Sequence, residues 1–206
     1  MNNDKVIEII RAISCKIDEE KDFLTKLDNE IGDGDHGVNL ARGFKAIEQN
    51  IDPNKDKDIG TTLKNIGMGL LGTVGGTSGP LYGTAFMKAG AYMKDRNEID
   101  TNDFIECLKV AYEGIMMRGK STVNEKTMLD AMVPAYDAML KANNEGLNPK
   151  EVFKKGVEAA WNGVEYTKTI IATKGRASYI GERSIGHQDP GATSFSYILE
   201  TIYNNI

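Results

Sequence analysis

Leu27-Asp28-Asn29-Glu30-Ile31-Gly32-Asp33-Gly34-Asp35-His36-Gly37 lies between two helical hydrophobic patterns and breaks both. Four carboxylates fall within eight residues, with glycines threaded between them. Gly32, Gly34 and Gly37 carry no Cβ, so the backbone can turn sharply enough for Asp28, Asp33 and Asp35 to converge. Two carboxylates ~4 Å apart repel by roughly 4 kcal/mol at an effective dielectric of about 20. A hard divalent cation relieves that repulsion, and oxygen ligands suit Mg²⁺, Mn²⁺ or Ca²⁺. A Ca²⁺ EF-hand fails on spacing. Counted from Asp33, the sixth position is Val38 and the twelfth Phe44; counted from Asp28, they are Asp33 and Asn39. A Mg²⁺ site completed by water and phosphate oxygens fits better.

Outward from this loop the periodicity is helical. Val6, Ile9, Ile10, Ile13 and Ile17 form a stripe that continues toward Leu24 and ends at the aspartates. A second helix is predicted from near Val38 to about Gln49, followed by a charged loop, Asp52 to Asp58, containing Pro53. A third covers about Gly60 to Leu71 and a fourth about Pro80 to Lys94. Phe104, Leu108, Ala111, Tyr112 and Ile115 mark a fifth; Met128 to Lys141 is a sixth, with a kink at Pro134. Asn148-Pro149 opens a seventh as N-cap and first-turn proline. Thr173 to Gly191 reads as a long loop, and Ala192 to Tyr203 as the last helix. No alternating strand stands out. The fold class is all-α, with one domain over residues 1–206.

Composition narrows the function classes. The chain is 40% hydrophobic and 27% charged, with a net charge of -5, which disfavours nucleic acid as the main partner. Two cysteines make no disulfide framework, so a cytoplasmic location fits. The polar start Met1-Asn2-Asn3-Asp4 does not read as a signal peptide, and no apolar run reaches membrane-spanning length.

Two further segments suit phosphate. In Gly67 to Pro80, glycines allow close approach of backbone N–H groups to an anion, Thr77 and Ser78 add hydroxyls, and a helix follows. The same glycines also suit tight helix–helix contact; Gly67, Gly69 and Gly72 can pack while Thr77-Ser78 binds. In Lys174 to Ala192, Arg176 and Arg183 can fork onto phosphate oxygens. His36 and His187 both sit in glycine-rich loops. Gly114 to Ser121 matches the Walker A spacing, but its glycine loop would fall inside the fifth helix, without a preceding strand.

Four ordered motifs carry a family resemblance: Asp28-x4-Asp33-Gly34-Asp35-His36-Gly37, Gly75 to Pro80, Asn124 to Asp130, and Gly186 to Ala192. Together they resemble the nucleotide-binding subunit of dihydroxyacetone kinase, the bacterial DhaL family. The resemblance implies a barrel of about eight antiparallel helices with the nucleotide site at one end. It implies two Mg²⁺ ions held by Asp28, Asp33 and Asp35. His36, Gly37, Val38 and Asn39 would line the nucleotide, Thr77 and Ser78 would contact phosphates, and Gly119 and Met128 would lie at the base or ribose. Arg176 would add positive charge and, with Asp189, Pro190 and Gly191, close the pocket.

The length leaves no room for a fused substrate domain, which points to the stand-alone form. In that form ADP stays bound and cycles with ATP. A phosphohistidine on DhaM, ultimately charged by phosphoenolpyruvate, rephosphorylates it, and the phosphoryl group passes to dihydroxyacetone held on DhaK. Alternatives are an ATP-exchanging subunit of a related triose, tetrose or fatty-acid kinase, and an ADP-loaded co-regulator of a transcription factor.

Overall fold

The computed structural model describes residues 1–51 and 58–206, with the backbone alone at 49 and 50. The charged loop predicted for Asp52 to Asp58 lies outside the described residues, apart from Asp58 itself. Among the described residues are nine α-helices and one 3₁₀ segment: α1 Asn3–Glu19, α2 Lys21–Ile31, α3 His36–Asn50, α4 Ile59–Thr73, α5 Ser78–Tyr92, α6 Thr101–Gly119, α7 Leu129–Asn144, α8 Pro149–Thr167, the 3₁₀ segment Arg176–Ser184, and α9 Pro190–Asn205. No strand occurs among them, only a single antiparallel bridge between Asn2 and Glu98. No helix among the described residues is long and apolar enough to cross a membrane.

Local chemistry sets the helix starts. Asn2 accepts from the Lys5 amide at 3.0 Å, Asp58 from Thr61 at 3.0 Å, and Asn148 from Glu151 at 3.0 Å; each satisfies an orphan donor of a first turn. Asp100 and Asp103 cap α6 reciprocally. The first hydrophobic stripe departs from expectation: it is two helices, with Glu20 at φ -94° and ψ 2° ending the ideal helix between them. An unbroken helix over both would run about 43 Å. The break redirects the second half so that Leu24, Leu27 and Ile31 are buried as well as Ile13 and Ile17. Gly114 to Gly119, the Walker A look-alike, belongs to α6.

Adjacent helices pack in a circuit. α3 lies on α4, and each helix then lies on the next as far as α9; α9 lies on α1, and α1 returns to α3. α2 covers α3 and α9 from one side. Inside the circuit sit the side chains that water cannot reach, among them Ile13, Ile17, Leu40, Phe44, Ile66, Leu70, Ile115, Leu129 and Met139. Cys107 joins this core, and burial pushes its thiol up to about 12. The α4–α5 contact is nearly backbone to backbone. A Cβ on Gly67 would lie 2.8 Å from the Gly83 carbonyl oxygen, and one on Gly60 would lie 2.8 Å from that of Gly90.

Pro134 sits within α7 without ending it. Its ring nitrogen has no hydrogen to offer the Asp130 carbonyl one turn back. Gly163 of α8 rests on that same carbonyl, and a Cβ there would lie 2.1 Å from it. Gly163→Ala is therefore expected to pry α8 from α7 and cost about 2 kcal/mol, lowering Tm by roughly 4–8 °C. Gly72, with nothing within 4 Å of its virtual Cβ, gives the contrast. Gly72→Ala is expected to stabilise by about 0.5 kcal/mol. Thermal and urea unfolding of the two variants measure both.

Candidate functional site

Asp28 occupies the last turn of α2, and its carboxylate builds the loop that follows. Its Oδ2 accepts from the amide of Asp35 at 2.9 Å and from that of His36 at 3.1 Å. Those are donors at the start of α3 that no helical carbonyl serves, so Asp28 caps α3 from a different helix. Gly32 makes this possible. A Cβ there would lie 2.2 Å from Asp28 Oδ1, so any side chain would displace the carboxylate. Gly34 turns the chain with φ +75°. Asp35, formally at the N-cap of α3, makes no side-chain capping bond.

The outcome is a carboxylate group of three. Asp28, Asp33 and Asp35 each offer an oxygen, and the three oxygens lie within 4.8 Å of one another. That donor set is all oxygen and anionic, as a hard divalent cation requires. Asp33 Oδ2 also meets Arg176 Nε at 2.7 Å, an ion pair that brings the 3₁₀ segment over the aspartates.

These residues form one wall of a cleft of about 210 Å³. Opposite stand Gly76, Thr77 and Ser78 at the start of α5. Gly76 takes φ +65°, and a Cβ there would come within 3.5 Å of Asp35 Oδ1. The start of α5, with its free amides and dipole end, thus shares the cleft with the carboxylate group, an arrangement that suits an anion bridged to a cation. The remaining wall includes Leu81, Ile115, Gly119 and Met128, with Asp189, Pro190 and Gly191 at the start of α9.

His36 links the two walls from below. Its Nδ1 lies 2.8 Å from Ser78 Oγ and its Nε2 lies 3.0 Å from Ser194 Oγ. Burial pushes its pKa down to about 4 against the opposing Asp28 charge. Asp189 accepts from the Ala192 amide at 2.7 Å and caps α9. Burial, aided by the Asp130 and Asp28 charges, raises its carboxyl to about 7 despite that bond and Lys126.

The cleft gathers most residues singled out in the sequence: Asp28, Asp33, Asp35, His36, Thr77, Ser78, Gly119, Met128, Arg176, Asp189, Pro190 and Gly191 all line it. Gly37, Val38 and Asn39 are not among the lining residues. Gly37 faces α2, where a Cβ would lie 2.0 Å from the Lys21 carbonyl oxygen. Val38 is half exposed on the outside, and Asn39 is buried behind the Gly75–Gly76 turn, accepting from Arg42. The helical rotation after His36 carries these three away from the opening. Arg183 and His187 also lie outside the lining; His187 Nδ1 pairs with Glu30 at 2.9 Å. The predicted long loop carries the 3₁₀ segment, which positions Arg176.

Sequence reasoning missed Lys126. Its side chain is fully buried, and its ammonium donates to the carbonyls of Thr167 and His187, with that of Ile170 at 3.5 Å. Burial lowers its pKa against the pull of Asp189 and Asp130. Asp130, whose carboxyl burial raises, accepts from the amides of Asn124 and Thr127. The positive φ of Asn124 and Lys126 is the trace of this tight loop. A charged pair within the Asn124 to Asp130 motif was the available signal.

The sequence matches the DAK2 domain family over residues 30–204. It is 41% identical over 183 residues to the ADP-binding subunit DhaL of the PEP-dependent dihydroxyacetone kinase of Escherichia coli (strain K12), covering 89% of this chain and 87% of that protein. It is 40% identical over 200 residues to the DhaL subunit of PEP-dependent dihydroxyacetone kinase 2 of Listeria innocua, covering 96% and 92%. The dihydroxyacetone kinase from C. freundii, solved in complex with AMP-PNP and Mg²⁺, superimposes with a TM-score of 0.75 at 21% identity. All of this chain is covered, but it spans only 34% of that larger one, and the likeness establishes the fold.

The buried imidazole sets a pH response. Its pKa is lower folded, about 4, than unfolded, about 6.5. Between those values the unfolded state binds the extra proton. Stability from this group is complete above about pH 6.5 and is lost as pH falls toward about 4, on the order of 3 kcal/mol across the window. The His36 ring resonances are expected to keep neutral-imidazole shifts at about pH 5.5; a midpoint near 6.5 by NMR contradicts this placement.

Proposed function

Because the chain belongs to the DAK2 domain family, we propose that it is the ADP-binding subunit of a dihydroxyacetone kinase, acting as a single domain over residues 1–206. The carrying observation is the carboxylate group of Asp28, Asp33 and Asp35 facing the amide-rich start of α5 across one cleft. ADP cycling with ATP is the nucleotide, and two Mg²⁺ ions are its companions. A DhaK-type subunit holds dihydroxyacetone, and a DhaM-type phosphohistidine recharges the nucleotide. The circuit of neighbouring helices supports a barrel of antiparallel helices with the site at one end. The two free cysteines, Cys15 and Cys107, suit a reducing cytoplasm.

Phosphoryl transfer asks mainly for in-line positioning and charge neutralisation. Magnesium bound by Asp28, Asp33 and Asp35 would supply positive charge to phosphate oxygens. Everything else belongs to the chain. Asp28 is oriented by two backbone amides before any ligand arrives, so its geometry needs no reorganisation. Thr77, Ser78 and the first amides of α5 receive phosphate oxygens. Arg176, already at the aspartates through Asp33, brings a guanidinium whose donors match phosphate. Leu81, Ile115, Gly119 and Met128 offer the apolar wall for the base. Gly191 lies against this wall, where a Cβ would sit 3.0 Å from Asp189 Oδ2 and 3.4 Å from Met128 Cβ. His36, neutral and hydrogen-bonded at both nitrogens, orients and is not phosphorylated.

Purified protein, gently denatured and analysed by mass spectrometry, is expected to release one ADP per chain after exhaustive dialysis. Asp35→Asn is expected to lose that ADP and to lower phosphoryl transfer to dihydroxyacetone by about 100-fold or more in a reconstituted assay, since the metal-held charge is worth several kcal/mol. Normal nucleotide content together with normal turnover in Asp35→Asn would sink the assignment.

A further inference from the structure

Four side chains form a hydrogen-bonded line from the interior of the fold to the cleft. Tyr82 Oη lies 2.7 Å from Ser194 Oγ. Ser194 Oγ lies 3.0 Å from His36 Nε2, and His36 Nδ1 lies 2.8 Å from Ser78 Oγ. Tyr82, Ser194 and His36 are buried; Ser78 opens on the cleft. The line crosses α5, α9 and α3 and returns to the first residue of α5. No step of the proposed mechanism uses Tyr82 or Ser194.

Donor counting leaves two self-consistent arrangements. Burial drives the Tyr82 phenol well above its usual range, so it keeps its proton and donates to Ser194. A neutral imidazole carries one N–H. In one arrangement His36 Nε2–H donates to Ser194, Ser194 donates to the Gly191 carbonyl at 3.0 Å, and Ser78 donates to Nδ1. Ser78 then turns lone pairs toward the cleft. In the other, Ser194 donates to Nε2, Nδ1–H donates to Ser78, and the Ser78 hydroxyl hydrogen is free to point outward. The two differ by one proton moved from Nε2 to Nδ1 and by hydroxyl rotations, with no change in net charge. Phosphate oxygens only accept, so an anion beside Ser78 repels the first arrangement and bonds to the second. Consecutive bonds pointing the same way also polarise one another.

We propose that Ser194 is a positioning residue that holds His36 as the Nδ1–H tautomer by donating to Nε2, so that the Ser78 hydroxyl donates to a nucleotide phosphate. The inference rests on the nucleotide reading given above. It assigns to a residue of the interior a role in orienting a donor it does not touch.

The test is a two-bond ¹H–¹⁵N spectrum of histidine-labelled wild-type protein at about pH 7, stripped of its nucleotide with a metal chelator and then reloaded with ADP and MgCl₂ as the probe, with the reloading followed by calorimetry. The expected result is a protonated Nδ1 and a bare Nε2 at His36. A bare Nδ1 in protein that binds ADP overturns this inference alone; absence of ADP binding overturns it together with the functional reading. A double-mutant cycle supplies the second readout. Ser78→Ala and Ser194→Ala are each expected to weaken ADP binding about tenfold, as loss of one hydrogen bond to a charged group does. The double variant is expected to be no weaker than either. Multiplication to about 100-fold means that Ser194 acts independently of Ser78 and refutes the positioning role. The wild-type spectrum decides the matter even if Ser194→Ala does not fold.

Discussion

Asp28 Oδ2 accepts two amides from the start of α3, and the geometry of the cleft depends on those two bonds. They tie the end of α2 to the start of α3, fix the turn through Gly32 and Gly34, and leave the Asp35 side chain uncommitted as a cap. Without them, three like charges within 4.8 Å would splay the loop outward. Hydrogen bonds to an ionised carboxylate are worth roughly twice a neutral pair. The charge that makes the cluster unfavourable in isolation thus also strengthens the bonds that shape it. Arg176 on Asp33 offsets more of the repulsion from the opposite rim.

The opposite rim has its own buried anchor. Lys126 gathers carbonyls from the end of α8 and from the turn before α9, while Asp130 gathers the amides of its own loop. Each is a charge removed from water, and such a charge persists only where hydrogen bonds replace its hydration. Thr167 closes the arrangement by accepting from the Asp189 amide at 3.0 Å. The start of α9 and the Met128 wall are thereby held in fixed relation across long sequence separations.

Much of this was legible in the sequence, for physical reasons that differ by element. Helices announced themselves where an apolar pattern was sustained, as over about Gly60 to Leu71, and most sharply where it met a strong cap, as at Asn148-Pro149. The aspartate loop was legible because glycines alternate with charges and local turns follow from local composition. The division at Glu20 was not, because the hydrophobic period runs through it without a breaker residue. The 3₁₀ segment was hidden for a similar reason: its Ser184 hydroxyl donates to Gly181 and accepts from the Ala172 amide, a tertiary arrangement no window of sequence contains. Gly37, Val38 and Asn39 were expected at the nucleotide from the family resemblance, and they follow His36 in α3 without lining the cleft. Lys126 lay within the Asn124 to Asp130 motif, but its burial depends on the carbonyls of Thr167 and His187, distant in sequence.

The cleft is built almost entirely from helix ends. Asp28 is in the last turn of α2, His36 begins α3, Ser78 begins α5, Gly119 ends α6, Met128 precedes α7, and Asp189 caps α9. Backbone amides and carbonyls in the middle of a helix already have partners, whereas those of the first and last turns do not. An all-helical protein that must hold both a cation and an anion therefore has its free polar groups at one place only, the rim where termini meet. That arrangement leaves the central packing to residues such as Phe44, Ile66 and Leu129, while the buried charges Lys126 and Asp130 are held by hydrogen bonds beside the cleft. It also explains why glycines matter in two distinct ways here. Gly60, Gly67, Gly83, Gly90 and Gly163 bring helix backbones together, and those at 32, 34 and 76 shape the rim; loss of the former is felt as stability, and loss of the latter as chemistry.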